Sequence, residues 1–200
     1  NVGRGFHIDN RGKVKILNSN ISYTEYGSIL SQNDLGYAEI DSCKFSNNNY
    51  EAGLLVYQWY STLNIMNCSI FNNKRTGLLI NGYPDNDLDE STKIINSNIY
   101  SNDVGIEIVK SAAQDFQINY CSIYGNSTYQ VKTVNTSYRN SIDATNNWWG
   151  TTNETEIENG IFDYYDDFNL AKISYKPYFS SQNPLFTLAT NATDGMVIKN

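Results

Sequence analysis

Short runs of alternating apolar and polar residues recur along this chain on a frame of 24 to 29 residues. Ile16, Ile40, Ile65, Ile94 and Ile118 anchor the frame, with steps of 24, 25, 29 and 24 residues. Three positions after each anchor stand Ser19, Cys43, Cys68, Ser97 and Cys121; five positions after stand Ile21, Phe45, Ile70, Ile99 and Ile123. Asn48, Asn73, Asn102 and Asn126 lie eight positions after the last four anchors. A short period with fixed apolar, small and Asn positions is the signature of a solenoid, in which each coil buries its core against its neighbours.

Each coil carries two main apolar patches. The first, as in Val14-Lys15-Ile16, Leu63-Asn64-Ile65 and Phe116-Gln117-Ile118, has period two, so one face is buried and the other wet. The second follows a glycine, as in Gly5-Phe6-His7-Ile8, Gly53-Leu54-Leu55-Val56, Gly77-Leu78-Leu79-Ile80 and Gly105-Ile106-Glu107-Ile108. A third short strand is predicted around the residue at plus five. The Asn, Gly and Ser punctuation leaves no stripe at helical spacing. The predicted fold is all-β: a right-handed parallel β-helix of about 24 residues per coil, with three short strands per coil and a C-terminal capping segment.

Coils stacked about 4.8 Å apart put like residues on like. Inside, this predicts ladders of Ile, Leu and Val. At the corners it predicts Asn ladders, formed by the plus-eight series and by Asn18, Asn67, Asn96 and Asn146 at plus two. The cysteines fall on the same frame. With no Cys-x-x-Cys pair and a single histidine, His7, a zinc site is excluded. In-register side chains in adjacent coils are poorly aimed for a disulfide, and the Ser97 coil separates Cys68 from Cys121. Three buried free thiols are therefore predicted.

Strands of the type Ile-x-Asn-Ser/Cys-x-Ile followed by Gly-Ile-x-Ile resemble the repeats of the pectate-lyase-like β-helix superfamily and of related secreted and surface proteins of bacteria and archaea. Asn146-Asn147-Trp148-Trp149-Gly150, Ile161-Phe162-Asp163-Tyr164-Tyr165-Asp166-Asp167 and Tyr175-Lys176-Pro177-Tyr178 are similar to the closing segment of many such surface proteins. The resemblance covers roughly residues 3–179. It implies the fold and an extracellular or cell-surface setting. It does not choose an activity, because lyases, hydrolases, epimerases and non-catalytic adhesins share this architecture.

Three segments are expected: coils over 1–150, a cap over 151–179, and a tail or linker over 180–200. The first residues read as the middle of a coil, as in a piece of a longer protein whose neighbouring domains would be partners. An open solenoid end needs a cover. Trp149 sits at plus five of a last coil anchored at Ala144 and is expected to face the core. Thr155-Glu156-Ile157-Glu158 has the form of a capping box. Ile157, Ile161, Tyr164 or Tyr165, and Phe168 then predict a short amphipathic helix across the last coil, and Leu170 to Tyr175 a returning strand.

Charge narrows the partners. The chain has 200 residues, a net charge of −7 and scattered basic residues, which argues against nucleic acid and anionic membrane surfaces. No apolar run is long enough to insert in a membrane. Asn, at 29 residues, and Tyr, at 16, are abundant. Function is then sought where the frame is broken. Tyr57, Trp59 and Tyr60 place three rings in four residues after a core strand, a flat apolar surface suited to sugar rings or to packing over the next loop. One coil later, an insertion over 81–90 carries Tyr83 and the alternating Asp85, Asp87 and Asp89. These carboxylates are candidate calcium ligands, although the EF-hand spacing fails. Phe71, Tyr100 and Tyr124, at plus six of consecutive coils, predict an outward aromatic column that stabilises the stack, meets another domain, or carries a glycan lengthwise.

Catalysis has no obvious seat. The position before each anchor reads Lys15, Glu39, Asn64, Lys93, Gln117 and Asp143, with no acidic cluster. Glu107 stands apart, and His7 is flanked by inward Phe6 and Ile8, so it faces solvent. The reading is a non-catalytic extracellular or cell-surface module that contacts a polysaccharide or cell-surface glycan or acts in adhesion, with no cofactor other than a calcium ion at the Asp loop. The alternatives are a calcium-dependent polysaccharide lyase or other carbohydrate-active enzyme, and a purely structural surface-layer or spacer element. Six Asn-x-Ser/Thr sequons (at Asn20, Asn67, Asn126, Asn135, Asn153 and Asn191) permit glycosylation.

Overall fold

A computed structural model describes residues 3–32, 36–82, 91–110, 115–136 and 141–182. Three parallel sheets wind into a solenoid of about 25 residues per turn. The first sheet has seven strands: His7–Asn10, Ser28–Gln32, Ala52–Gln58, Thr76–Gly82, Val104–Val109, Tyr129–Val134 and Ile161–Phe162. The second also has seven, from Lys13–Leu17 to Lys172–Ser174, and the third has five, from Asn20–Ser22 to Ser122–Tyr124. The Ile16, Ile40, Ile65, Ile94 and Ile118 anchors pair in unbroken register down the second sheet. The core is the column of inward residues predicted at the anchor and plus-five positions. Ile40, Phe45, Ile65, Ile70, Ile94, Ile99, Ile118 and Ile123 are all fully buried. Each contributes roughly 1.5–3 kcal/mol.

The corners turn by left-handed residues at two fixed positions. Plus two holds Asn18, Ser42, Asn67, Asn96, Tyr120 and Asn146, with φ between 48° and 59°. Plus seven holds Tyr23, Asn47, Asn72 and Ser101, followed by Gly125. Asn tolerates this region better than other side chains because its short amide bonds locally, which accounts for its frequency here.

The plus-eight ladder is continuous and buried. Asn48, Asn73, Asn102 and Asn126 each accept, through Oδ1, both the backbone N–H and, from Asn48 on, the side-chain amide of the preceding coil. Thr24 opens the ladder and Gln130 closes it, accepting from Asn126 at 2.9 Å. The amides also donate to the carbonyls of Phe45, Ile70 and Ile99. The glycines that start the first-sheet strands are explained here. A Cβ at Gly77 would lie 2.7 Å from the Asn102 amide nitrogen and 2.8 Å from the Gly105 carbonyl oxygen.

Cys43, Cys68 and Cys121 are buried free thiols in the plus-three column. The Cys68 N–H donates to Ser97 Oγ, the Ser97 N–H to Cys121 Sγ, and the Cys121 N–H to Asn147 Oδ1. Asn147 thus occupies plus three of the Ala144 coil. Burial pushes the Cys121 thiol up to about 12 and raises that of Cys68.

The C-terminal segment departs from the expected helix. Trp149 faces the core, 3% exposed. The helix spans only Glu154–Asn159, and its N-cap is Asn153, whose side chain accepts from the Thr155 N–H, rather than Thr155 itself. Gly160 ends it. Ile161 and Phe162 then pair with Val131 and Lys132 as a strand, so Ile161 reaches the core through the sheet and not on a helical face. Phe168, expected on that face, is 71% exposed. Lys172–Ser174 pairs with Ser141–Asp143, close to the predicted returning strand. The frame therefore continues past 150, and the short helix packs on it through Ile157, 1% exposed.

Candidate functional site

The outer face of the first sheet carries the best candidate. Counting four residues from the glycines at 5, 27, 53 and 77 gives Asp9, Ser31, Tyr57 and Asn81, which pair in register on consecutive strands. Asp9, Arg11, Ser31, Tyr57 and Trp59 line a groove of about 660 Å³. It crosses three strands along the solenoid axis, a span of about 10 Å at 4.8 Å per step. Trp59 is 44% exposed. Tyr57 is half-buried and packs against an apolar cluster of Ile29, Ala52 and Leu55 on the outside of the sheet. Tyr57 thus covers apolar residues of the sheet and also lines the groove.

The segment is held firmly. Gln58, between the two rings, points inward and is buried. Its amide donates to the Ser61 carbonyl at 2.8 Å and its Oε1 accepts from Thr92 Oγ1 at 2.7 Å, tying the corner to the second sheet. Tyr60 adopts a left-handed conformation, φ 50°, and is not among the residues lining the groove. Asp9 and Arg11 were not singled out by the sequence. The signal was the glycine spacing, because the loops between sheets vary in length and a count from the Ile anchors loses the phase.

The aromatic column forms as predicted, with its rings stacked face to face. Phe71 and Tyr100 stack with centroids 4.9 Å apart and planes 8° from parallel; Tyr100 and Tyr124 stack at 5.4 Å and 6°. The Lys44 ammonium lies 5.0 Å over the Phe71 ring. At the other end Gly150 packs on Tyr124, where a Cβ would come within 2.8 Å of the Tyr124 Cβ. The faces between the rings are taken by stacking and the outer face of Phe71 by Lys44, whereas Gly150 meets the Cβ of Tyr124 rather than its ring. Burial, then the neighbouring Tyr124, raises the Tyr100 phenol above its ordinary value.

Tyr83, Asp85, Asp87 and Asp89 lie outside the described residues. Among the described residues no group of three or more His, Cys, Asp or Glu is placed to hold a metal ion. Glu107, which the sequence left isolated, accepts from Thr76 Oγ1 and faces Lys132 of the next coil at 3.8 Å. Lys15 and Glu39 pair at 2.8 Å. The Lys15 hydrogen bond, then that of Tyr37, holds the Glu39 carboxyl below its ordinary value. His7 is exposed beside Arg4 and Asp9.

A second cavity, about 710 Å³, opens at the C-terminal end and includes Glu158, Asp163, Asp166, Lys172, Tyr165 and Tyr175. Its carboxylates are committed to the fold. Asp163 accepts from the Tyr165 and Ile173 N–H groups, Asp166 from the Asp163 N–H, and Glu158 from the Tyr175 hydroxyl.

Residues 1–148 match the family described as the right handed beta helix region. The chain belongs to this family. Protein bark beetle of Drosophila melanogaster is 42% identical over 59 residues, covering 29% of this chain and 2% of that protein. The chain thus spans only about 2% of the length of that relative. No solved structure matches the chain. No helix among the described residues is long and apolar enough to cross a membrane.

Proposed function

We propose that this β-helix is a non-catalytic module of an extracellular or cell-surface protein, and that it contacts glycans through the groove at Tyr57 and Trp59. The observation that carries the reading is the placement of these two rings in one groove with Asp9, Arg11 and Ser31, of which Asp9, Ser31 and Tyr57 pair on consecutive strands. Rings supply flat apolar surfaces for the C–H faces of sugars, and the flanking carboxylate, guanidinium and hydroxyl supply hydrogen bonds to sugar hydroxyls. The groove runs along the axis, so an extended chain of two or three sugars fits it better than a single sugar. Asp9 is the one carboxylate among the residues lining the groove, whereas hydrolysis of a glycosidic bond ordinarily uses two. Adjoining domains of a longer chain would present the module.

The test is a polysaccharide and oligosaccharide binding screen, followed by titration of the best ligand. Affinity should rise from mono- to trisaccharide and then level off, and Trp59→Ala and Tyr57→Ala should each weaken it at least tenfold. Binding that is unchanged in both variants rejects this site.

A further inference from the structure

The sequons that recur in this chain fall into two physical classes. Asn67 and Asn126 have their side-chain amides built into the corner ladders. The Asn67 Nδ2 donates to Asp41 Oδ1 at 2.8 Å, while its Oδ1 accepts from Asn96 Nδ2 at 2.7 Å. Asn126 is buried; its Nδ2 donates to Gln130 Oε1 and the Ile99 carbonyl, and its Oδ1 accepts from the N–H and amide of Asn102. A sugar on either Nδ2 would remove ladder hydrogen bonds and force a bulky polar group between stacked coils.

Asn153 differs. Asn153 is exposed in the turn after the Trp149 strand position. Its Oδ1 accepts from the Thr155 N–H, and its Nδ2 reaches only the exposed Glu156 carboxylate at 3.3 Å. Substitution on that nitrogen leaves the Oδ1 bond in place. Thr155, which completes its sequon, is exposed as well. Ser137, which completes the Asn135 sequon, and the whole Asn191 sequon lie outside the described residues.

We propose that Asn153 is an N-glycan acceptor site of this chain, and that Asn67 and Asn126 are sequons reserved for the scaffold. The donor class is a lipid-linked oligosaccharyl pyrophosphate. A bond forms between Asn Nδ2 and the anomeric carbon, the lipid pyrophosphate leaves with the electron pair of the broken C–O bond, and one amide proton is released. The inference rests on the extracellular setting proposed above, but not on the groove. Asn153 lies by the last strand of the first sheet and the groove crosses its first three, so a sugar there leaves the groove open.

The experiment is secretion of the chain from a glycosylating eukaryotic host, with peptide mass mapping before and after enzymatic removal of N-glycans. Sugar is expected on Asn153, and both Asn153→Gln and Thr155→Ala, which breaks the sequon but keeps the Asn153 cap, should remove it, with the circular dichroism spectrum of Thr155→Ala unchanged. A secreted, folded chain bare at Asn153, or sugar on Asn67 or Asn126 of the folded protein, overturns the proposal. Glycan-binding titrations on the same material report separately on the groove.

Discussion

Replacing Asn73 by Ala removes the middle rung of the plus-eight ladder. The Asn73 side chain makes four hydrogen bonds: it accepts from the Asn48 N–H at 3.2 Å and the Asn48 amide at 2.9 Å, and donates to the Phe45 carbonyl at 3.2 Å and Asn102 Oδ1 at 3.0 Å. Asn73 is 3% exposed, so water does not readily replace it. At a net value of about 1 kcal/mol per bond, with two buried Asn48 donors left unsatisfied, the cost is roughly 4 kcal/mol. A solenoid can unfold in stages. The assay is therefore equilibrium urea unfolding followed by both circular dichroism and tryptophan fluorescence. The exposed Asn49→Ala should stay within about 0.5 kcal/mol of wild type. If Asn73→Ala also lies within about 1 kcal/mol, the ladder does not carry the corner energy assigned to it.

Other outcomes follow from the same geometry. Gly77→Ala should cost about 1–3 kcal/mol in the same assay, because its Cβ meets the Asn102 amide and the Gly105 carbonyl; a neutral substitution would show that the coil spacing can give. A disulfide-exchange reagent should find the three cysteines unreactive in the native protein and all three titrating, without reductant, after unfolding; a single thiol would mean a disulfide. Hydrogen bonds from Lys15, from Thr128 and from Lys176 hold the carboxyls of Glu39, Asp103 and Glu154, respectively, below their ordinary values. Their contribution is full above the ordinary carboxylate range near pH 4 and is lost as pH falls through the lowered values. The urea midpoint should therefore decline on acidification below about pH 4.5 and hold flat from there to pH 7; a midpoint that rises on acidification would reverse the sign.

The frame was legible because a parallel solenoid repeats the same environment in every coil. Cys43, Cys68 and Cys121 share a position, so one physical reading of that position served for all three. Anchors paired through direct strand register, and the count from Ile16 to Ala144 reached Trp149 correctly. What failed was non-periodic. Helical spacing through Phe168 was outcompeted by sheet pairing at Ile161 and Phe162, with Gly160 between. The partners of Glu107 and the groove residues Asp9 and Arg11 depended on phase between sheets, which variable loops obscure until it is counted from the glycines. The aromatic column could be placed from spacing alone, but the cover on the outer face of Phe71 comes from Lys44, which belongs to another position of the frame.

Binding by the groove is the central claim, and calorimetric titration of wild type, Trp59→Ala and Tyr124→Ala with one trisaccharide ligand from the screen tests it most directly. The account predicts at least a tenfold weaker Kd for Trp59→Ala and an unchanged Kd for Tyr124→Ala, with both variants folded by circular dichroism. Equal affinity of Trp59→Ala and wild type, or loss of binding in Tyr124→Ala alone, would contradict it.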